Sequence, residues 1–207
     1  VSMFERAIGP PTPIVGGRTV TISSGGISGV LFIPDEYNAK QKMSLWVHFH
    51  TSAWFVVSEF QRAKCSEPIL VLDLGQGSST YAKPFANTKV FETLLSEVAK
   101  QFEKDLEPVQ IDKLNFTSFS AGYGAVRELI ADSTVLDRLG TVILADSIYG
   151  SFDPANSAGR IVLESHVTCW RPLVDRAIEG KTTLIMTTSQ ITPPTYAGTW
   201  EVAKALV

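Results

Sequence analysis

The chain has 207 residues, a formal net charge of -3, 44% hydrophobic residues and 19% charged residues. This length predicts one domain with a substantial core, and this composition predicts a globular chain rather than a disordered one. The charge, without any block of Lys and Arg, argues against a nucleic-acid surface. No apolar run approaches the roughly 20 residues that cross a bilayer, and no signal peptide is visible at Val1. A small neutral partner fits this composition better.

The first predicted elements form an antiparallel hairpin. Two alternating, β-branched stretches at 18–23 and 29–34 flank the pair Gly25-Gly26. Near-continuous apolar runs at 44–49 and 69–74 then predict two strands that are buried on both faces.

The rest of the chain alternates helices with strands. Helices are predicted at 84–105, 125–131 and 172–179 and from Thr199 onward, and strands at 111–116, 141–145 and 182–187. This order predicts an α/β fold, a three-layer α/β/α sandwich whose mostly parallel sheet begins with an antiparallel hairpin. Ligands in such sheets bind beyond the carboxyl ends of the strands. The side chains expected at that rim are those of His50, Ser120, Asp146 and Ser189, beside Gly75.

The segment 117–124 lies between a predicted strand and a predicted helix. Ser120 is at its centre, and the small residues Ser118 and Gly122 lie two positions before and after it, as a close strand-to-helix crossing demands. The pattern resembles the nucleophile elbow of the α/β-hydrolase superfamily, G-x-S-x-G, with Ser118 in place of the first glycine. The same residues also fit a plain tight turn.

The resemblance implies a serine hydrolase that acts on a small ester by acyl transfer. Ser120 would be the nucleophile. Asp146, which closes the strand after the elbow, would be the acid of the triad, although that position also suits an aspartate that only caps a turn. The N–H groups of Ala121 and Thr51 would form the oxyanion hole, with Ser52 as the neighbouring alternative to Thr51.

Aromatic residues near these positions are candidates for a substrate pocket. The resemblance implies that the pocket for the acyl group is lined by His50, Trp54, Phe55 and Tyr123. Each of the aromatic side chains fits an ordinary core position equally well. No cofactor is implied.

The catalytic histidine is harder to assign, since the family places it after the final strand of the sheet. The chain has three histidines, and His48 and His50 precede Ser120, whereas His166 follows both Ser120 and Asp146. By this count the chain is a single hydrolase-like domain that stops one strand short. We therefore expect a longer or separate C-terminal segment to carry the base, with His166 as the alternative within the chain. A third reading is a non-catalytic binding or interaction protein that keeps the fold.

The remaining expectations concern metals, thiols and partners. His48 and His50 are spaced to share a metal ion, but the residues that follow offer no further ligands, so no metal site is predicted. Cys65 and Cys169 are either one disulfide or two buried thiols; the first option, with the low lysine content, favours export to the periplasm or the medium slightly over the cytoplasm. An unfinished sheet edge at 182–187 predicts a companion C-terminal chain or a homo-oligomer contact.

Overall fold

The computed structural model describes residues 10–103 and 108–206. Within these residues seven strands form one sheet in the spatial order β1-β2-β4-β3-β5-β6-β7. The strands are β1 Gly17–Ser24, β2 Ile27–Pro34, β3 Lys42–Phe49, β4 Ile69–Leu72, β5 Gln110–Phe119, β6 Leu139–Ala145 and β7 Thr183–Thr187. β2 is antiparallel to both β1 and β4, and all the other neighbours are parallel. The predicted α/β class, with its N-terminal antiparallel hairpin, is confirmed.

Eight α-helices connect these strands within the same described residues. They are α1 Ala53–Arg62, α2 Ser78–Phe85, α3 Thr88–Ala99, α4 Tyr123–Leu129, α5 Ser133–Leu136, α6 Ser165–Thr168, α7 Arg171–Ile178 and α8 Thr199–Leu206. The single helix predicted over 84–105 is wrong, and its last two positions lie outside the described residues. Pro84 lies near the end of α2, and Asn87 begins a new helix by accepting a 3.2 Å hydrogen bond from the Lys89 N–H.

The sheet has an apolar cluster on each face. In β4, the side chains of Leu70 and Leu72 belong to a large cluster with α2, α3 and α4, whereas those of Ile69 and Val71 belong to a smaller cluster with α1. Alternate side chains of a strand point to opposite faces, so helices cover the sheet on both sides. This arrangement gives the three predicted layers.

The other end of the sheet is less covered. β7 pairs only with β6 among the described strands, and its Ile185 side chain is 45% exposed. The expectation of a partner along this edge stays a prediction.

Both Cys65 and Cys169 are free thiols. In the part of the chain that is described, no helix is both long and apolar enough to cross a membrane.

Candidate active site

Ser120 lies at the sharp turn between β5 and α4. The turn is shorter than the predicted segment 117–124, because β5 continues to Phe119, which still pairs with Ala145 of β6. Ser120 itself has a φ of 46°, in the left-handed region that a serine occupies only under strain. A single 3-10 turn to Gly122 then leads into α4. The geometry presents the serine at the rim of the sheet, as a nucleophile elbow does.

Two glycines allow α4 to approach this turn. A Cβ atom on Gly122 would lie 2.1 Å from the carbonyl oxygen of Phe49, and one on Gly124 would lie 2.2 Å from the carbonyl oxygen of Ser78. Both distances are far below van der Waals contact with backbone atoms. Only glycine therefore fits at these two positions in the observed packing.

Ser118, which stands where the elbow pattern has glycine, is fully buried but has a hydrogen-bond partner. Its hydroxyl donates to the Ser147 hydroxyl at 2.8 Å, which in turn donates to the Ser120 carbonyl oxygen at 2.9 Å. A buried hydroxyl without a partner would be destabilising, so these two hydrogen bonds make a serine acceptable at position 118. The same hydrogen bonds join the elbow to the loop after β6.

Asp146 lies directly after β6, and it also has a φ of 46°. Its carboxylate accepts hydrogen bonds from the Ser189 N–H at 2.9 Å, the Ser189 hydroxyl at 3.1 Å, the Tyr149 hydroxyl at 3.2 Å and the Thr199 hydroxyl. Burial acts to raise the pKa of Asp146, but the hydrogen bonds, led by that of Thr199, outweigh it and lower the pKa. Asp146 is therefore ionised at neutral pH.

Tyr149 lies near both predicted catalytic residues. Its hydroxyl donates to Asp146 Oδ2 at 3.2 Å, and Tyr149 and Ser120 line the same cavity. Burial first, and then the charge of Asp146, raise the pKa of Tyr149, so the phenol is neutral. Ser147, the residue after Asp146, joins the two positions through its hydrogen bond to the Ser120 carbonyl oxygen.

A cavity of about 470 Å³ opens above this group. Its lining residues are Gly77, Ser78, Ser120, Ala121, Tyr123, Tyr149, Gly150, Ser151, His166 and Tyr196. The cavity brings together four residues that the sequence marked, namely Ser120, Ala121, Tyr123 and His166. The other three pocket candidates, His50, Trp54 and Phe55, are not among its lining residues.

His166 faces the same cavity, but its hydrogen bond restricts what it can do. Its Nδ1 accepts the Ser151 N–H at 2.8 Å, so a neutral ring carries its proton on Nε2. Burial first, and Arg127 second, lower the pKa of His166 and keep it neutral. In this state Nε2 is a hydrogen-bond donor and has no lone pair with which to accept the proton of Ser120.

The other two imidazoles belong to a separate network. His50 Nδ1 lies 2.9 Å from the hydroxyl of Tyr81, and its ring stacks on Phe119 at a centroid distance of 6.0 Å. His48 is buried, and its Nε2 bonds the carbonyl oxygen of His50. Burial lowers the pKa of His48 to about 4. Within the described residues no imidazole is hydrogen-bonded to Ser120.

The loop after β3 has a backbone that usually needs glycine. His50 has a φ of 75° and Thr51 a φ of 93°. No carbonyl within the described residues accepts the Thr51 N–H, which leaves it available as a donor. Thr51 lines an apolar cavity of about 630 Å³ beneath α1, together with Phe55 and Phe119, whereas Trp54 packs on Phe55 at 5.9 Å between ring centroids. The roles of Thr51, His50 and Trp54 stay predictions.

Four hydroxyl-bearing residues of the site were not assigned a role from the sequence. They are Ser147, Tyr149, Ser189 and Thr199. Ser189 was expected at the rim, and the order of the strands was the only available signal. Thr199 is 53 positions from Asp146, so no local pattern links them. Among the described residues, no group of three or more His, Cys, Asp or Glu side chains is placed to hold a metal ion.

Comparisons with known proteins identify similar structures but no family. No family model matches the chain, and a search of curated proteins gives no match. A thermostable esterase from Pseudomonas putida matches with a TM-score of 0.46 and 15% identity, over 77% of this chain and 54% of that one. The enterobactin esterase of Shigella flexneri matches with a TM-score of 0.47 and 12% identity, over 88% and 56%. The chain spans about half the length of these structures. The function therefore has to be argued from this chain's own site.

Proposed function

We propose that the chain is a serine hydrolase of the esterase type, with Ser120 as the nucleophile and Asp146 as the acid. The observation that carries the proposal is the position of Ser120. It lies at a strained turn and lines a cavity of about 470 Å³, and the Ser147 hydroxyl joins its carbonyl oxygen to the loop that carries the ionised Asp146. Strain of this kind persists where the surrounding structure enforces it, and it is concentrated at functional sites.

The proposed chemistry is acyl transfer from an ester. Ser120 attacks the ester carbonyl, and the negative charge that develops on the carbonyl oxygen is stabilised by backbone N–H donors. Ala121, which directly follows the nucleophile and lines its cavity, supplies the first donor. Thr51, whose N–H has no acceptor among the described carbonyls, supplies the second.

A second candidate is a binding or interaction protein that keeps this fold without catalysis. The observation that favours it is the lack of an imidazole hydrogen-bonded to Ser120 among the described residues. Under this reading the cavity holds a small ligand, and the Ser120 hydroxyl is no more reactive than that of any other serine.

Fluorophosphonate labelling, followed by intact mass, separates the two candidates. We expect one label on the wild-type chain and none on Ser120→Ala, because only an activated serine displaces fluoride at a measurable rate. Ser96→Ala is the matched control, since Ser96 lies exposed on α3 and only bonds the carbonyl oxygen of Glu92. Label that persists in Ser120→Ala contradicts the assignment of the nucleophile. If the folded wild-type chain takes no label, the assay is repeated with the longer gene product that is expected to carry the base, and only a second absence of label contradicts the hydrolase and favours the binding protein.

A further inference from the structure

His166 lines the cavity of Ser120, and one of its two ring nitrogens is already hydrogen-bonded to the backbone. Its Nδ1 lies 2.8 Å from the backbone nitrogen of Ser151. A backbone N–H can only donate, so Nδ1 accepts and the neutral ring carries its proton on Nε2. Within the described residues this Nε2–H has no protein acceptor. The ring therefore keeps one directed donor for a ligand in the cavity.

The position of this imidazole is fixed by the backbone that it contacts. The Leu163 N–H donates to the Ser151 carbonyl oxygen at 2.8 Å, and the His166 N–H donates to the Leu163 carbonyl oxygen at 2.9 Å. A Cβ atom on Gly150 would lie 3.4 Å from the Cβ of His166, so this side chain begins close to the Gly150 backbone. Gly150 in turn exchanges two backbone hydrogen bonds with Ala197, at 2.8 and 3.3 Å. A donor that is fixed before the ligand arrives loses little entropy on binding.

The charges around His166 favour a neutral ligand oxygen. Burial first, and Arg127 second, lower the pKa of His166, so the ring donates as a neutral group. The guanidinium of Arg127 is itself paired with the Glu128 carboxylate at 3.2 Å. No Asp, Glu, Lys or Arg is among the described residues that line the cavity. A buried carboxylate would find no free cation there, whereas a ketone or hydroxyl oxygen needs only a donor.

We propose, on the basis of the serine hydrolase function above, that His166 determines specificity by donating its Nε2–H to a second, uncharged oxygen of the ester substrate. The substrate is then an ester that also carries a ketone, a hydroxyl or a similar acceptor in the part that fills the cavity. Ser120 and His166 line the same cavity of about 470 Å³, so one small molecule can contact both. His166 takes no proton during the reaction and acts only on the choice of substrate.

A pair of esters of the same shape measures this preference. p-Nitrophenyl levulinate has a ketone oxygen where p-nitrophenyl isocaproate has a methyl group. We expect the wild-type protein to favour the levulinate ester in kcat/KM by about 10-fold, since the other ester leaves one donor unpaired. The preference should appear in KM, because the ketone is remote from the reacting carbonyl. Differences in intrinsic reactivity cancel when the ratio is compared between variants.

Two variants separate donation to the substrate from a structural role. His166→Asn keeps an oxygen near the position of Nδ1, which can accept the Ser151 N–H, but it loses the Nε2–H. His166→Gln places an amide N–H near the position of Nε2 and gives up the bond to Ser151. We expect the preference to fall by about 10-fold in His166→Asn and to be largely retained in His166→Gln. A residue that only holds the loop would give the reverse order.

Binding is also measured without catalysis, on Ser120→Ala. A long-range nitrogen–proton NMR spectrum of the histidine rings identifies the tautomer, and the signals of His166 are those that disappear when His166→Asn is added. We expect a protonated Nε2, an unprotonated Nδ1, and a shift of Nε2 on addition of methyl levulinate but not of methyl isocaproate.

The outcomes distinguish this inference from the hydrolase function on which it depends. A preference that is lost in His166→Asn and kept in His166→Gln supports the donor. Equal ratios in the wild type and His166→Asn, or a ratio lost only in His166→Gln, overturn it, while the labelling of Ser120 still supports the hydrolase. If both variants lose the preference, or if no form of the protein hydrolyses either ester or takes the label, the NMR titration decides. A shifted Nε2 then supports the donor, and an unchanged Nε2 overturns it, whatever becomes of the hydrolase.

Discussion

Ser120 and Asp146 share an uncommon backbone conformation, since both are non-glycine residues with a φ of 46°. Each follows the last residue of one of two neighbouring parallel strands. Such a conformation costs on the order of 1–3 kcal/mol per residue. The cost is offset locally, because the Ser120 carbonyl accepts a hydrogen bond from Ser147 and the Asp146 carboxylate accepts four. The strained backbone therefore occurs at two polar residues that lie at the same rim of the sheet.

His48 makes the stability of the protein sensitive to mild acid. Its pKa falls from 6.5 to about 4 on burial, so below pH 6.5 the unfolded chain binds a proton that the folded chain does not. The free energy of unfolding should decrease as the pH falls from 6.5 to 4, by on the order of 3 kcal/mol from this group. Urea unfolding at several pH values measures this. His48→Gln, which keeps an N–H donor for the His50 carbonyl, should flatten the dependence.

His50 is the control for this effect, because the charge of its protonated form also lowers the pKa of His48 and its own pKa is lowered by burial. His50→Gln should remove a smaller part of the pH dependence, since His50 is only half-buried. If the free energy of unfolding of His48→Gln changes with pH as steeply as that of the wild type, the buried imidazole is not the source of the pH dependence.

At the scale of the elements, the crossing of α4 over β3 depends on Gly122. Its φ is ordinary, so the glycine is needed for space alone, because a Cβ would meet the Phe49 carbonyl oxygen at 2.1 Å. Gly122→Ala should lower the free energy of unfolding by about 2–3 kcal/mol and slow the labelling of Ser120. Gly159→Ala is the control, because it adds the same methyl group where the nearest atom, Ile161 Cγ1, lies 3.8 Å from the new Cβ. Equal stabilities of these two variants would contradict the steric argument.

The elements that the sequence predicted well are those with a strong local pattern. The apolar runs predicted as strands at 44–49 and 69–74 correspond to β3 and to β4, which ends at Leu72, and the hairpin has its turn glycines. α1 had no predicted counterpart, because its residues 53–62 combine aromatic and β-branched side chains that fit a strand or a helix equally well. The helix predicted over 84–105 began too early, because its apolar positions Val90, Leu94, Leu95 and Val98 all lie in α3, after the cap at Asn87.

The residues of the candidate site also divide into those with a signal in the sequence and those without one. Ser120 and Asp146 were predicted because strand ends of a parallel sheet meet at one rim, which is a rule about topology. Tyr149 and Thr199 depend on the path of loops, and hydrogen bonds across 53 positions leave no periodic trace in the sequence. A resemblance to a family supplied roles for the residues in its motif, and it supplied none for the hydroxyls that surround Asp146.

At the scale of the whole molecule, α8 connects the site to the loop between β6 and β7. Thr199, its first residue, donates to Asp146, and Glu201 forms two hydrogen bonds of 2.7 Å with the guanidinium of Arg160. Arg160 also donates to the carbonyl oxygen of Pro193 and lies over the ring of Phe152 at 4.6 Å. The position of Asp146 thus depends on how firmly this helix is held.

Arg160→Ala should release α8, because it leaves the buried Glu201 carboxylate with only the Gly198 N–H as a partner. We expect a thermal midpoint lowered by several degrees and faster amide hydrogen exchange in α8. Arg160→Lys keeps the charge but cannot pair with both carboxylate oxygens in a planar fork, so it should fall between Arg160→Ala and the wild type. Lys204→Ala, which removes an exposed cation from the same helix, is the control. If the α8 amides of Arg160→Ala and Lys204→Ala exchange hydrogen at equal rates, the ion pair does not hold α8. Asp146 must then be positioned by Ser189 and the sheet alone.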